Sequence, residues 1–128
     1  IHAAASSTTG SIEIGTTEES SMAVVGRKAF DQAVTVPSLT LDRLLEERGI
    51  TRVDLCKIDV EGHEVEVLKG ASGMLGHIRR LIIEFHSPAL RDEVRALLLS
   101  RFDVVQESAN RIGLLHAVNR EMEGAGVG

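Results

Sequence analysis

Two apolar runs of strand length, residues 53–58 (VDLCKI) and 81–85 (LIIEF), constrain this chain more than any other feature. Both are rich in residues that suit a pleated, buried surface, and each is followed by a stretch of helical character. After the first, residues 61–69 read as a helix that stops near Gly70. After the second, Leu90, Val94, Leu97 and Leu98 fall at i, i+4, i+7 and i+8, one face of a helix. Consecutive apolar strands separated by helical crossovers signal a parallel sheet covered on both faces. Residues 102–106 and 112–118 read as two further strands, and the linker around Ser108, Asn110 and Arg111 suits a closing antiparallel hairpin. The expected fold class is α/β, a mostly parallel sheet with a C-terminal antiparallel hairpin.

Upstream the signals are weaker. Residues 11–15 alternate with a period of two and predict a short, half-buried strand. Residues 16–28, rich in Thr, Ser and Glu, read as a loop with at most one weak strand. The segment 33–36 predicts a strand that stops at Pro37, which cannot donate to a ladder. Leu41, Leu44 and Leu45 form an apolar helical stripe, with Ser38 or Thr40 as its cap and Gly49 at its exit. Met74, Leu75 and Ile78 mark a short helical or turn region. At 128 residues the chain fits one domain, expected over 1–120, with a glycine-bearing tail over 121–128 expected to lack structure.

Composition removes several function classes. Fourteen basic against nineteen acidic residues leave a net charge of −5, which disfavours a phosphate-backbone partner. Trp and Tyr are absent and the three Phe are scattered, so base-stacking platforms are not expected either. No apolar run approaches the ~20 residues of a membrane-spanning helix. The one cysteine, Cys56, rules out an internal disulfide framework and a multi-cysteine zinc site, and points to a reduced, cytoplasmic setting. On its strand Cys56 reads as a small core residue rather than a nucleophile.

In an open parallel sheet, ligands sit outside the carboxyl ends of the strands. One such end carries Lys57, Asp59, Glu61, His63 and Glu64; the next carries Glu84 and His86. If the two strands are neighbours, about 4.8 Å apart, Asp59 and His86 project into one crevice. In an extended segment Glu61 would present its carboxylate on the same side as Asp59. Such a set offers a general base near a substrate hydroxyl, or ligands for a divalent cation. The alternative is that Asp59 and Glu61 cap the following helix. Lys57 inside an apolar strand calls for an acidic partner if buried, or else snorkels from the strand edge. His63 and Glu64 are expected on an exposed helix face, and His77 and His116 as ordinary surface or hairpin residues.

The motif Val53-Asp54-Leu55-Cys56-Lys57-Ile58-Asp59-Val60-Glu61-Gly62-His63-Glu64, preceded by Thr40-Leu41-Asp42-Arg43-Leu44-Leu45 and followed by Val67-Leu68-Lys69-Gly70-Ala71, resembles the FkbM-type methyltransferases. The run Leu81-Ile82-Ile83-Glu84-Phe85-His86 is similar to that family's next strand, so the resemblance covers roughly residues 1–87. It implies a Rossmann-like class I methyltransferase fold that uses S-adenosylmethionine to methylate a hydroxyl on a small sugar, polyketide or lipid-like acceptor. It implies Asp59 as the group that orients or deprotonates that hydroxyl, with Glu61 and His86 beside it and Lys57 in electrostatic support. His2, Ala3 and Ala4 would end the family's third strand, near the cofactor's adenine. No complete metal-ligand set is evident, and no metal is expected.

The glycine-rich loop and the ribose-holding acid of the family's first two strands have no counterpart here, since Gly10 and Gly15 do not form a strand-to-helix glycine turn. The family's strand order, 3-2-1-4-5-7-6, would then leave the first strand of this chain roughly 14 Å from its nearest sheet neighbour. It would also leave the fourth as an apolar edge. The expectation is a C-terminal portion of a longer enzyme, inactive alone. The rivals are a non-catalytic Rossmann-like interaction domain that has lost the cofactor site, and a divalent-cation hydrolase built on Asp59, Glu61 and His86.

Overall fold

The computed structural model describes residues 1–17, 20–25, 32–108, 110 and 112–125. In chain order its elements are β1 (Ala4–Ala5), β2 (Gly10–Thr17), β3 (Ser20–Val25), β4 (Gln32–Leu39), α1 (Leu41–Glu47), β5 (Val53–Ile58) and α2 (Glu64–Lys69). A 3-10 turn (Leu75–His77) leads into β6 (Ile78–Phe85), α3 (Pro88–Leu98), β7 (Phe102–Glu107), β8 (Gly113–Asn119) and α4 (Arg120–Ala125). The α/β class stands.

The strands form two four-stranded sheets, in the orders β1-β4-β2-β3 and β5-β6-β8-β7. Only β1 with β4 and β5 with β6 run parallel; the other neighbouring pairs are antiparallel. The expectation of a mostly parallel sheet is thereby corrected. Parallel neighbours need a crossover connection, and in the second sheet only β5 and β6 are neighbours joined by one. The closing hairpin is present as β7 and β8, with a bulge between Val104 and Gln106.

Local chemistry explains most element ends. Thr40 Oγ1 accepts from the Arg43 amide at 3.1 Å and starts α1; Gly49, at φ 64°, ends it in the left-handed region. Ser87 Oγ accepts from the Leu90 amide at 3.1 Å, and Pro88 fills the first position of α3, where its missing N–H costs nothing. The helix expected from residue 61 begins only at Glu64, because Glu61 (φ 49°) and Gly62 (φ 96°) take left-handed backbone.

Two expectations shift. Strand β4 does not stop at Pro37 but runs through it to Leu39, with Pro37 opposite Ser11. The short β1 reaches only Ser38 and Leu39. The outer flank of Pro37 is therefore open among the described residues, the position where a strand tolerates proline. The one weak strand allowed within residues 16–28 is present as β3, paired with β2. The tail expected to lack structure is helical through Ala125, and residues 126–128 lie outside the described residues.

The core lies on one face of the second sheet. Ile58, Leu81, Ile83, Phe85, Leu115 and Ala117 are buried there with Val67 and Leu68 of α2 and Val94 and Leu98 of α3. Each large aliphatic side chain so buried contributes about 1.5–3 kcal/mol. Helices α2 and α3 pack on each other and on β6, so they cover the same face. Two-sided cover is not met among the described residues: Leu55 and Leu114 on the other face remain 56% and 49% exposed. Among the described residues strand β5 is an edge of its sheet.

The first sheet meets α2 at Gly70. Its carbonyl accepts from the Asp42 amide at 3.0 Å, and a Cβ on Gly70 would lie 2.1 Å from the Ser6 carbonyl oxygen. Gly70→Ala should therefore cost about 2–3 kcal/mol, seen as a lower denaturation midpoint at unchanged slope.

At the far end of β6, Glu123 of α4 accepts from Arg79 Nε at 3.2 Å and Arg80 Nη2 at 2.5 Å. The Arg80 hydrogen bond first, then the two guanidinium charges, hold the Glu123 carboxyl below its usual range. A folded pKa below the unfolded one means stability present above the ordinary carboxylate range and lost as pH falls through the lowered value. Protection factors for the α4 amides, taken relative to intrinsic exchange at each pH, should fall on acidification through that window, and Glu123→Gln should remove this pH step.

Candidate active site at the ends of two parallel strands

Strands β5 and β6 pair in parallel, with Lys57 opposite Ile82 and Ile58 opposite Ile83. The residues just past each strand therefore emerge at the same end. His86, whose side chain is 15% exposed, stands at the centre. Its Nε2 lies 3.3 Å from Glu61 Oε2, 3.9 Å from Asp59 Oδ1 and 4.0 Å from Glu84 Oε1. Its Nδ1 is hydrogen-bonded to Glu64 Oε1. Three carboxylates thus share one side of the ring and a fourth holds the other.

The two acids the sequence places after β5 reach His86 by a turn, not by an extended segment. The His63 amide donates to the Val60 carbonyl at 3.2 Å, and Glu61 occupies left-handed backbone. For a residue with a side chain that conformation stores roughly 1–3 kcal/mol, and such outliers cluster where geometry serves a site. Helix α2 is capped by His63 without any side-chain cap bond, so Asp59 and Glu61 do not serve as its caps.

Glu84 and Asp59 face each other across the strand ends. A hydrogen bond with Asp59, followed by burial and the Asp59 charge, holds the Glu84 carboxyl above its usual range. Glu84 therefore keeps its proton to higher pH than an isolated carboxyl would. Asp59, Glu84 and His86 each bring one ligand atom within 4.8 Å of the others. This oxygen and imidazole set is chemically able to hold a divalent cation.

Glu64 and His63 depart from the exposed helix face expected of them. Glu64 is fully buried, and its Oε1 also accepts from the Gly62 amide at 3.2 Å, while Oε2 has no hydrogen-bond partner. His63 is half-buried, with Nε2 3.0 Å from Ser6 Oγ. That contact ties the end of the first segment to the turn beneath the rim. Glu64 and Glu84 were placed at the strand ends without a role in the site, and Ser6 was not singled out. Glu64 had a readable signal: with Val67, Leu68 and Ala71 it falls at i, i+3, i+4 and i+7, on the buried stripe.

Other candidates stand apart. Lys57 is exposed on the open face and forms no ion pair among the described residues, so it is not a buried lysine with an acidic partner. Cys56 packs against the core, and burial pushes its thiol pKa up, consistent with a structural role. His2 is exposed and Ala3 and Ala4 are half-buried; Ala4 and Ala5 pair with β4 in the first sheet, not beside β5. Gly10 and Gly15 lie within β2, so neither forms a glycine turn from strand to helix. A groove of about 420 Å³ on the open face, lined by Ile82, Leu114 and His116 among others, includes no residue of the rim.

The family model described as "Methyltransferase FkbM domain" matches residues 2–112. This chain belongs to the FkbM methyltransferase domain family. Within that family setting it is 35% identical over 66 residues to the hexuronic acid methyltransferase AglP of Haloferax volcanii, covering 52% of this chain and 28% of that protein. It is 38% identical over 66 residues to the methyltransferase sdnD of Sordaria araneosa, covering 49% and 26%. A third relative is the AMB antimetabolite synthetase AmbE of Pseudomonas aeruginosa, 32% identical over 82 residues, covering 63% and 4%. The FkbM chain thus matches about a quarter of the length of the first two. No solved structure matches it significantly. Among the described residues no helix is long and apolar enough to cross a membrane.

Proposed function

We propose that the protein carrying this FkbM chain is an S-adenosylmethionine-dependent O-methyltransferase acting on a hydroxyl of a small sugar, polyketide or lipid-like acceptor in the cytoplasm. One observation carries the reading: in a chain of this family, Asp59, Glu61 and His86 meet at the carboxyl ends of adjacent parallel strands. The order β5-β6-β8-β7 supports a Rossmann-like parent sheet, since it matches the 4-5-7-6 end of the order that fold implies. The hexuronic acid methyltransferase among the relatives supports a hydroxylated small molecule as acceptor.

S-adenosylmethionine would supply the methyl group as an electrophile. The residues of this chain handle the acceptor: Asp59 and Glu61 orient its hydroxyl, His86 stands within reach of its proton, and Lys57 lends positive charge from the strand behind. His2, Ala3 and Ala4 would border the adenine. Alignment of nucleophile and methyl supplies much of the rate in such a reaction, and the strained Glu61 turn is consistent with an arrangement built for alignment. Titration calorimetry of the full-length protein should detect S-adenosylmethionine binding; a flat titration rejects the assignment.

The Asp59–Glu84–His86 cluster favours one second reading, a divalent-cation hydrolase. Metal titration of Asp59→Ala beside the wild type decides it, since that reading requires the wild type to bind and the variant to lose the ion.

A further inference from the structure

We infer that Glu64 is a positioning residue that fixes His86 in the tautomer carrying hydrogen on Nδ1, so that Nε2 takes the proton of the acceptor hydroxyl. The tautomer is set by geometry; the role given to Nε2 rests on the methyl-transfer reading above. Glu64 Oε1 already serves as an acceptor, taking the Gly62 amide hydrogen, so at its contact with the ring Nδ1 is the donor. In the neutral ring this leaves the lone pair on Nε2, the nitrogen that faces Asp59, Glu61 and Glu84 at the rim. These three acids all approach from the Nε2 side, and among the described residues only Glu64 holds Nδ1.

Glu64 is also poorly explained by packing. It sits fully buried on the stripe shared with Val67 and Leu68, with Oε2 unbonded, where an apolar side chain would avoid the cost of burying a charge. The carboxylate instead provides a fixed partner for His86. A ring bonded through one nitrogen is set in both orientation and tautomer. In the proton transfer, the acceptor O–H bond breaks, an N–H bond forms at Nε2, and the electron pair stays on oxygen as the nucleophile. The positive charge on the ring is faced by Glu64 behind and by Asp59, Glu61 and Glu84 in front.

The test is the ¹⁵N spectrum of histidine-labelled full-length protein at mildly alkaline pH, with His86→Gln used to assign the signals. The expected pattern for His86 is a protonated, pyrrole-like Nδ1 and a pyridine-like Nε2. Glu64→Gln, which offers both a donor and an acceptor to the ring, should mix the two tautomers and lower kcat about 10²-fold with KM little changed. Glu64→Asp provides a second variant that keeps the carboxylate and should retain more of the wild-type tautomer than Glu64→Gln. A hydrogen on Nε2 in the wild type, a ring still carrying both protons, or a Glu64→Gln spectrum identical to wild type overturns the inference. These spectra need no cofactor, so they fail or succeed separately from the calorimetric test of methyl-donor binding.

Discussion

His86→Ala is expected to destabilise the protein by about 3 kcal/mol, more than the loss of a rim imidazole alone would suggest. The reason lies behind the ring. Glu64 is fully buried, its Oε2 is already unbonded, and its Oε1 is held only by His86 and the Gly62 amide. Removing the imidazole leaves that fully buried carboxylate with one backbone donor. Removing one member of a buried pair costs more than the pair was worth, because the survivor keeps its desolvation penalty. The double variant Glu64→Leu/His86→Leu should accordingly lie within about 1 kcal/mol of wild type, since two apolar groups need no partner. Urea denaturation of wild type, Glu64→Leu, His86→Leu and the double variant closes the cycle, with His86→Ala measured beside them. A loss under about 1 kcal/mol in His86→Ala, or a double variant no better than that single one, would show that Glu64 does not depend on the ring. Activity separates from stability in this set, because the double variant should be stable and inert.

The convergence of Asp59 and His86 was legible in the sequence because two regular rules determine it. Apolar runs joined by a helical crossover pair in parallel, and residues after parallel neighbours emerge at one end. Beyond the strand ends no period governs the backbone. The approach of Glu61 to His86 depends on a left-handed turn at Glu61 and Gly62, and a glycine in the motif marks such a turn without specifying where it points. Placing the start of α2 at residue 61 hid the role of Glu64, although its spacing to Val67, Leu68 and Ala71 was enough to bury it whatever the start. Lys57 was ambiguous for a different reason. A covered and an open sheet face look alike in sequence, and Lys57 shares the open face of β5 with Leu55, so the lysine reaches water. The first sheet was least legible. Its pairing joins β1 to β4 across two intervening strands, and such non-local register leaves little trace in a Thr- and Ser-rich segment.

Phe85→Ala should cost about 3–5 kcal/mol and disturb the rim as well. Phe85 is fully buried at the end of β6, immediately before His86. Gly113 lies opposite it in β8, where a Cβ would stand 3.0 Å from the ring, and the Arg91 guanidinium lies 6.0 Å from its centroid. Truncation opens a cavity beneath the strand end that aims the imidazole, so the His86 ¹⁵N signals should shift or broaden. Phe102 is the control. It is equally buried, but it pairs with Asn119 at the other end of β8, roughly 20 Å from Gly113. Phe102→Ala should cost a similar amount and leave the His86 signals in place. If the two variants perturbed those signals equally, the rim would be responding to general loosening of the core rather than to the seat that Phe85 provides. A selective response in Phe85→Ala would instead place the control of the imidazole in two buried side chains, Glu64 behind it and Phe85 below it.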